Sequence, residues 1–203
     1  MAGAGRICSG FSLPYVALYE NNNSTVTYKS GRRLARGVEV SVEANYAEDN
    51  NFFADNRAVE SVPGLFTDGT ATFTVDGLLK EAERFIMGMA EPETLEVGGK
   101  TVKVYNYGMD NNIPYVGVGF IVRYQSEGVV TYEPTILCKA RFNDTGLTAR
   151  TQEEDLEWQT QEITATLLRD DSAAHNWKRT FEAQATEAEA EAILKSFFNV
   201  TEE

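Results

Sequence analysis

The sequence predicts a mainly β protein: an antiparallel β-sandwich or split β-barrel with one flanking helix, a C-terminal helix and a long inter-strand loop. Three observations carry this. Apolar residues alternate with polar ones through most of the chain, the mark of strands with one buried face. Only two stretches carry apolar residues at helical spacing instead. No low-complexity linker and no repeat of fixed period divides the 203 residues, so residues 1–203 read as one domain.

The elements follow in order. The opening GAGRICSG lacks the Gly-Lys-Ser/Thr ending of a Walker loop and does not match GxGxxG, so it reads as a flexible terminus. Short strands are expected near residues 15–19 and 25–28. Val38, Val40, Val42, Ala44 and Tyr46 then fall on one side of a strand, and Glu39, Ser41, Glu43 and Asn45 on the other. Residues 46–66 fit neither period and read as a long loop, polar and acidic, with Phe52 and Phe53 side by side. Loops of that length are uncommon in a compact domain unless they serve a function. The two phenylalanines either anchor another surface or fold back on their own domain. Ala71, Phe73 and Val75 alternate with threonines in the next strand.

Asp76 is a candidate cap for the first helix. Leu78, Leu79, Ala82, Phe85, Ile86 and Met89 form its stripe, and Gly88 its stop. Leu79, Phe85 and Ile86 are expected to pack on the sheet. Val116, Val118, Phe120, Val122 and Tyr124 start a long hairpin that turns at residues 125–128. It returns with Val130, Tyr132, Pro134, Ile136, Cys138, Ala140 and Phe142 on the matching face. Pro134 cannot donate to a ladder and belongs at an edge or bulge. A strand is expected over residues 156–168, with a bulge where the apolar phase changes, and another over 177–183. Thr186 and Glu189 form a capping box that starts a C-terminal helix over 186–198, whose stripe is Ala190, Ile193, Leu194, Phe197 and Phe198.

The composition excludes several functions. Acidic residues number 31 against 18 basic, a formal charge of −13. Proteins that grip nucleic acid through phosphates have basic footprints instead. No window is long and apolar enough for a membrane span, and no secretory leader is visible. The two cysteines, Cys8 and Cys138, form no CxxC and are expected to be buried as small apolar residues, though a single bridge between them is open. His175 is alone, so a zinc site of the usual kind is not expected. Asp110 and the run Glu153, Glu154, Asp155 are acidic clusters without EF-hand spacing, read as solvated faces. No cofactor is expected, and nothing in the sequence demands an enzyme. One basic cluster stands against this background: Lys29, Arg32, Arg33 and Arg36. It is either a solvated turn or a docking patch for an acidic surface of an identical subunit.

Four segments in order give the chain a resemblance. They are GRRLARGVEVSVEANYAEDNNFFADNRAVES, GTATFTVDGLLKEAERFIMG, PYVGVGFIVRYQSEGVVTYEPTILCKARF and WKRTFEAQATEAEAEAILKSFF. Together they resemble the major tail protein family, the tail tube subunits of long non-contractile tails of phages that infect Gram-positive bacteria. The carrying details are Ala54-Asp55-Asn56 after the first strand, Val75-Asp76-Gly77 leading into a short helix, and the Pro-Tyr-Val-Gly-Val-Gly strand. The chain departs from the family in a longer N-terminal lead and in few lysines between 115 and 142. The resemblance implies hexameric rings stacked into a tube, with one sheet of each subunit in a continuous inner barrel. The partners would be other copies of the chain, the tape-measure and other tail proteins, and passing DNA that is not bound specifically. No membrane is involved. The protein would be made in the host cytoplasm and located in the virion tail.

The resemblance gives the singled-out residues roles. Phe52, Phe53 and Asp55 become anchors between rings. Lys29, Arg32, Arg33 and Arg36 dock a neighbouring subunit. Glu39, Ser41, Glu43 and Asn45 face the lumen. The basic positions Arg123, Lys139 and Arg141 are expected away from it, at a neighbour or on the outer surface. DNA carries one negative charge per ~1.7 Å of axis, so a conduit must not bind it tightly. The alternative is a monomeric β-sandwich binding module, of adhesin or carbohydrate-binding type, which accounts for strands and exposed aromatics equally well.

Overall fold

The computed structural model describes residues 5–108, 111–146, 149–151 and 158–200. Asp110, Glu153, Glu154, Asp155 and Leu156 lie outside them. The strands, in chain order, are β1 (Ile7–Asn22), β2 (Thr25–Arg33), β3 (Gly37–Tyr46), β4 (Asn50–Ala54), β5 (Arg57–Val62), β6 (Phe66–Val75), β7 (Glu93–Val97), β8 (Lys100–Val104), β9 (Val116–Ser126), β10 (Val129–Asp144), β11 (Gln161–Leu168) and β12 (Lys178–Thr180). Helix α1 (Lys80–Met87) follows β6, and α2 (Glu187–Phe197) follows β12.

The predicted class is the one observed. Among the described residues the main sheet is antiparallel, in the order β2-β1-β9-β10-β11-β6-β3, with β12 added on β10. It curls until β3 comes back beside β1. A side chain at Gly37 would collide with the ring of Phe11 there, yet β1 and β3 share no ladder. The barrel is therefore split. Its interior is apolar because alternate residues point inward: Phe73 and Val75 from β6, Val118 and Phe120 from β9, Ile163 and Leu167 from β11. The rings of Phe11, Phe73 and Phe120 meet at 5.6–6.5 Å between centroids. Ala82, Ile86 and Met87 of α1 join this interior.

A second cluster lies on the opposite face, where α2 covers β1, β9 and β10. It holds Tyr15, Tyr28, Ile121, Ile136, Leu194 and Phe198. Gly117 and Gly119 permit the close approach, since a Cβ on either would lie within 2.4–2.5 Å of a Tyr28 or Phe198 ring atom. The capping box at Thr186 and Glu189 is formed. Each fully buried Leu, Ile or Phe contributes roughly 1.5–3 kcal/mol, so both faces of the central strands stabilise the fold.

Several expectations require correction. The N-terminal segment is not a free tail: Ile7–Ser12 pair with β9. The long loop of 46–66 is a structured hairpin, β4–β5, turning at Asp55 (φ 50°) and Asn56 (φ 61°). A two-residue turn with both central φ values positive is the favoured hairpin connection, and Asp and Asn tolerate it. A second hairpin, β7–β8, closes on Gly98-Gly99 and was not anticipated. Helix α1 starts at Lys80, with Leu79 as its uncapped N-cap. Asp76 instead accepts the Arg36 backbone N–H at 3.0 Å. Leu79 thus precedes the helical stripe and is 61% exposed rather than packed. Phe85 is only half-buried, while Ile86 is fully buried.

The return strand β10 does not keep one face. The register shifts between Leu137 and Ala140, so Ile136 lies in the α2 cluster whereas Leu137, Ala140 and Phe142 lie in the barrel. Such a bulge reverses side-chain phase. Pro134 is not at an edge of the sheet. It pairs with Ile121 on β9, and its carbonyl accepts from Phe181 N–H at 2.9 Å on the other side. There the ladder is interrupted between β12 and the Tyr132–Gln184 bridge, so the missing N–H falls where pairing already breaks. Strand β11 begins only at Gln161, and Trp158 lies before it, 87% exposed. Cys138 is buried as expected, but Cys8 is exposed, and both are free.

Candidate assembly surfaces

Half of the outer sheet face is covered by α2. The other part, over β3, β6, β11 and the end of β10, has no helix on it among the described residues. Its residues are set by register. Glu39, Ser41, Glu43 and Asn45 on β3 oppose Thr74, Thr72, Thr70 and Asp68 on β6. Those threonines oppose Glu162, Thr164 and Thr166 on β11, and Thr166 opposes Arg141 on β10. Directly opposed residues share a face. One continuous polar face therefore runs Glu43, Thr70, Thr166, Arg141 across four strands. The predicted lumen set lies together on it. Arg141, expected apart from that set, shares the face, because it stands opposite Thr166. The hydroxyl row is solvent-compatible and β-branched, which suits a pleated sheet.

At one margin of this face, β3 pairs only with β6 among the described residues. Its outer backbone groups form an open edge, of the kind that invites strand addition. At the far end of the sheet, β2 is partly covered: Gly31 N–H donates to the Phe198 carbonyl, and Asn199 Nδ2 donates to the Tyr28 carbonyl.

The β4–β5 hairpin projects from the β3 side. Phe52 and Phe53 are each 65% exposed, and Val59 and Val62 are exposed as well. They do not fold back on their own barrel. The hairpin is anchored at its base, where Ala47 N–H donates to the Leu65 carbonyl and Gly64 N–H donates to Asp49. Glu48, Asp49, Asp55 and Glu60 against Arg57 make it net acidic.

The basic cluster is divided by the structure. Lys29 pairs with Glu20 at 2.6 Å, and Arg36 lies 3.8 Å from Asp76. The Arg32 guanidinium sits over the Phe85 ring at 4.1 Å, and its Nε–H is buried with no acceptor among the described residues. Among the described residues, Arg33 Nε donates only to the Ala35 carbonyl, at 3.4 Å. Arg32, Arg33, Leu79 and Lys195 line an open cleft of about 780 Å³ between β2, α1 and α2.

The buried carboxylates Glu83 and Asp170 are satisfied internally. Glu83 accepts from Lys80 Nζ, Tyr107 and Thr145 at 2.7–3.0 Å. Burial works to raise its carboxyl, but these hydrogen bonds outweigh that and hold it below the usual range. Asp170 is 2% exposed and accepts from Ser172, Asn176 N–H and Arg179. His175 Nδ1 lies 3.2 Å from the Asp170 carbonyl, so it belongs to this loop lock. Lys139 donates to Asp171 at 2.8 Å, and that bond, with one from Tyr19, lowers the Asp171 carboxyl. Burial pushes the Cys138 thiol up to about 11, which disfavours the reactive thiolate. Among the described residues no three His, Cys, Asp or Glu side chains gather as a metal site. No helix among them is long and apolar enough to cross a membrane.

No protein-family model matches the chain, and no curated protein is significantly similar to it.

Glu39, Ser41, Glu43 and Asn45 share one face of β3, as their alternation with valines implies. Sequence reasoning missed Thr70, Thr72, Thr164 and Thr166 as parts of that face. Their signal was present as Thr-x-Thr alternation, but only strand order shows that the two threonine strands are neighbours.

Proposed function

We propose that this protein is a structural subunit that self-assembles into stacked rings, forming the tail tube of a long-tailed phage, a conduit past which DNA moves without binding. The observation that carries this is the bare Thr/Glu face beside the open edge of β3. A polar face with no helix over it and an unpaired margin suits a sheet that continues into the next copy and lines a water-filled lumen. In this reading Glu39, Ser41, Glu43 and Asn45 face the channel, and the β4–β5 hairpin reaches the adjoining ring. The four-segment resemblance supplies the hexameric count and the tape-measure partner. The reading involves no catalysis and no cofactor.

Size-exclusion chromatography with negative-stain microscopy tests it. Rings or tubes are expected at raised protein concentration or high salt, where mutual repulsion is screened. Strict monomers under every condition overturn the reading. Exposed Phe52, Phe53 and Trp158 favour one other reading, a monomeric β-sandwich binding module. That protein would stay monomeric and be retained on a glycan or cell-surface matrix.

A further inference from the structure

The chain carries a formal charge of −13, so a cation on its surface should find a carboxylate easily. Arg32 and Arg33 are adjacent, and neither has one among the described residues. Arg32 has only the Phe85 ring, and Arg33 only a backbone carbonyl. Between them and α1 stands Leu79, a large apolar side chain 61% exposed. Leu79 and Arg33 line both the 780 Å³ cleft and a neighbouring cleft of about 460 Å³ that ends at Arg36. The remaining charges of the larger cleft are already engaged: Arg84 with Glu81 and Glu91, and Lys195 with Glu191. The surface is thus an apolar post flanked by unpaired arginines.

The β4–β5 hairpin has the opposite character. Its phenylalanines are exposed, its turn carries Asp55, and Glu60 stands opposite Phe52. An isolated two-stranded hairpin is marginal in water and gains from an apolar partner. We infer that the cleft between β2 and α1 receives the β4–β5 hairpin of a second copy of this chain, Phe53 against Leu79 and the hairpin carboxylates toward Arg33 and Arg32. The Arg32 guanidinium, 4.1 Å over the Phe85 ring, can also meet an aromatic side chain from the second copy. The two surfaces differ, so the contact is head-to-tail and propagates instead of closing as a symmetric pair. This rests on the ring-stacking reading for its biological purpose, but it is read out separately.

The test uses full-length chains in a Cys8→Ser background. Ala58→Cys, directly opposite Phe53 on the hairpin, is prepared on one chain and Lys195→Cys, in the cleft, on another. The two are mixed under associating conditions with a short bismaleimide and resolved on a denaturing gel. A two-chain product is expected, at least tenfold above that formed between Ala58→Cys and a control, Val129→Cys, which is exposed at the β9–β10 turn. Leu79→Ser or Arg33→Glu on the cleft chain, and Phe53→Ser on the hairpin chain, should each cut the yield about tenfold, as expected for losing a close charge pair or an apolar anchor. These side chains are exposed, so unchanged melting of each variant confirms that folding is intact. Equal labelling of the control, or tubes without the cross-link, overturns the docking while leaving the tube standing. The cross-link without rings or tubes supports the docking and overturns the tube. No association at all overturns both.

Discussion

Burial works to raise the Glu83 carboxyl, and its three donors outweigh that and hold it low. Its folded pKa lies below the unfolded value, so its stabilisation is complete above about pH 4.3 and is lost as pH falls through the folded value. Glu83→Gln is expected to destabilise by about 1–3 kcal/mol at pH 7. The gap from wild type should narrow below about pH 4. Melting curves at pH 7 and pH 3.5 check this, and a gap that widens on acidification would exclude the assignment. Neighbouring α1 residues separate packing from exposure. Ile86→Ala should cost about 2–5 kcal/mol through a barrel cavity. Phe85→Ala should cost less, because its ring is only partly buried and lies under Arg32, and Leu79→Ser should leave the free monomer's melting unchanged. Denaturant midpoints of the three variants give the order directly.

At the level of elements, the alternating strands and both helices were legible because each has one buried face, and period alone exposes that. The β4–β5 and β7–β8 hairpins were not, because neither has a buried face. Residues 50–53 and 57–62 are exposed on both sides, so no alternation is imposed. The available signal was local: Asp55-Asn56 and Gly98-Gly99 are turn pairs that accept positive φ. The face change in β10 was hidden for a different reason. Cys138 and Lys139 look regular in sequence, and the bulge is fixed by the partner strand. Resting on few contacts, the β4–β5 hairpin should open independently of the barrel. Its amides should exchange much faster than those of β9, and Asn56→Ala should speed them further without moving the global melting transition. Hydrogen-exchange mass spectrometry reads both. Protection of residues 50–62 equal to β9 in the free monomer would contradict the description.

For the whole molecule, the split barrel leaves β3 open while α2 and the C-terminal segment occupy β2. Assembly is therefore expected to depend on the β3 edge. Val42→Pro removes a donor, but that donor's side of the ladder determines the result, so Val40→Pro and Val42→Pro together sample same-side positions and Ser41→Pro the other. One set should block ring formation with the smaller loss of monomer stability, and comparison by chromatography and thermal melting identifies the outward row. Loss of stability without any loss of assembly in either set would mean that copies do not join through β3.

The row from Glu43 to Arg141 has an electrical consequence. The row is acidic at its β3 end and basic at its β10 end, with Thr70 and Thr166 between. Each subunit then carries a lateral dipole along the direction of strand stacking. In the proposed ring, such dipoles laid side by side would align head to tail, the Arg141 end of one row pointing toward the Glu43 end of the next. In the proposed tube, the same row would both resist gripping a polyanion and set the rotational sense in which neighbours join.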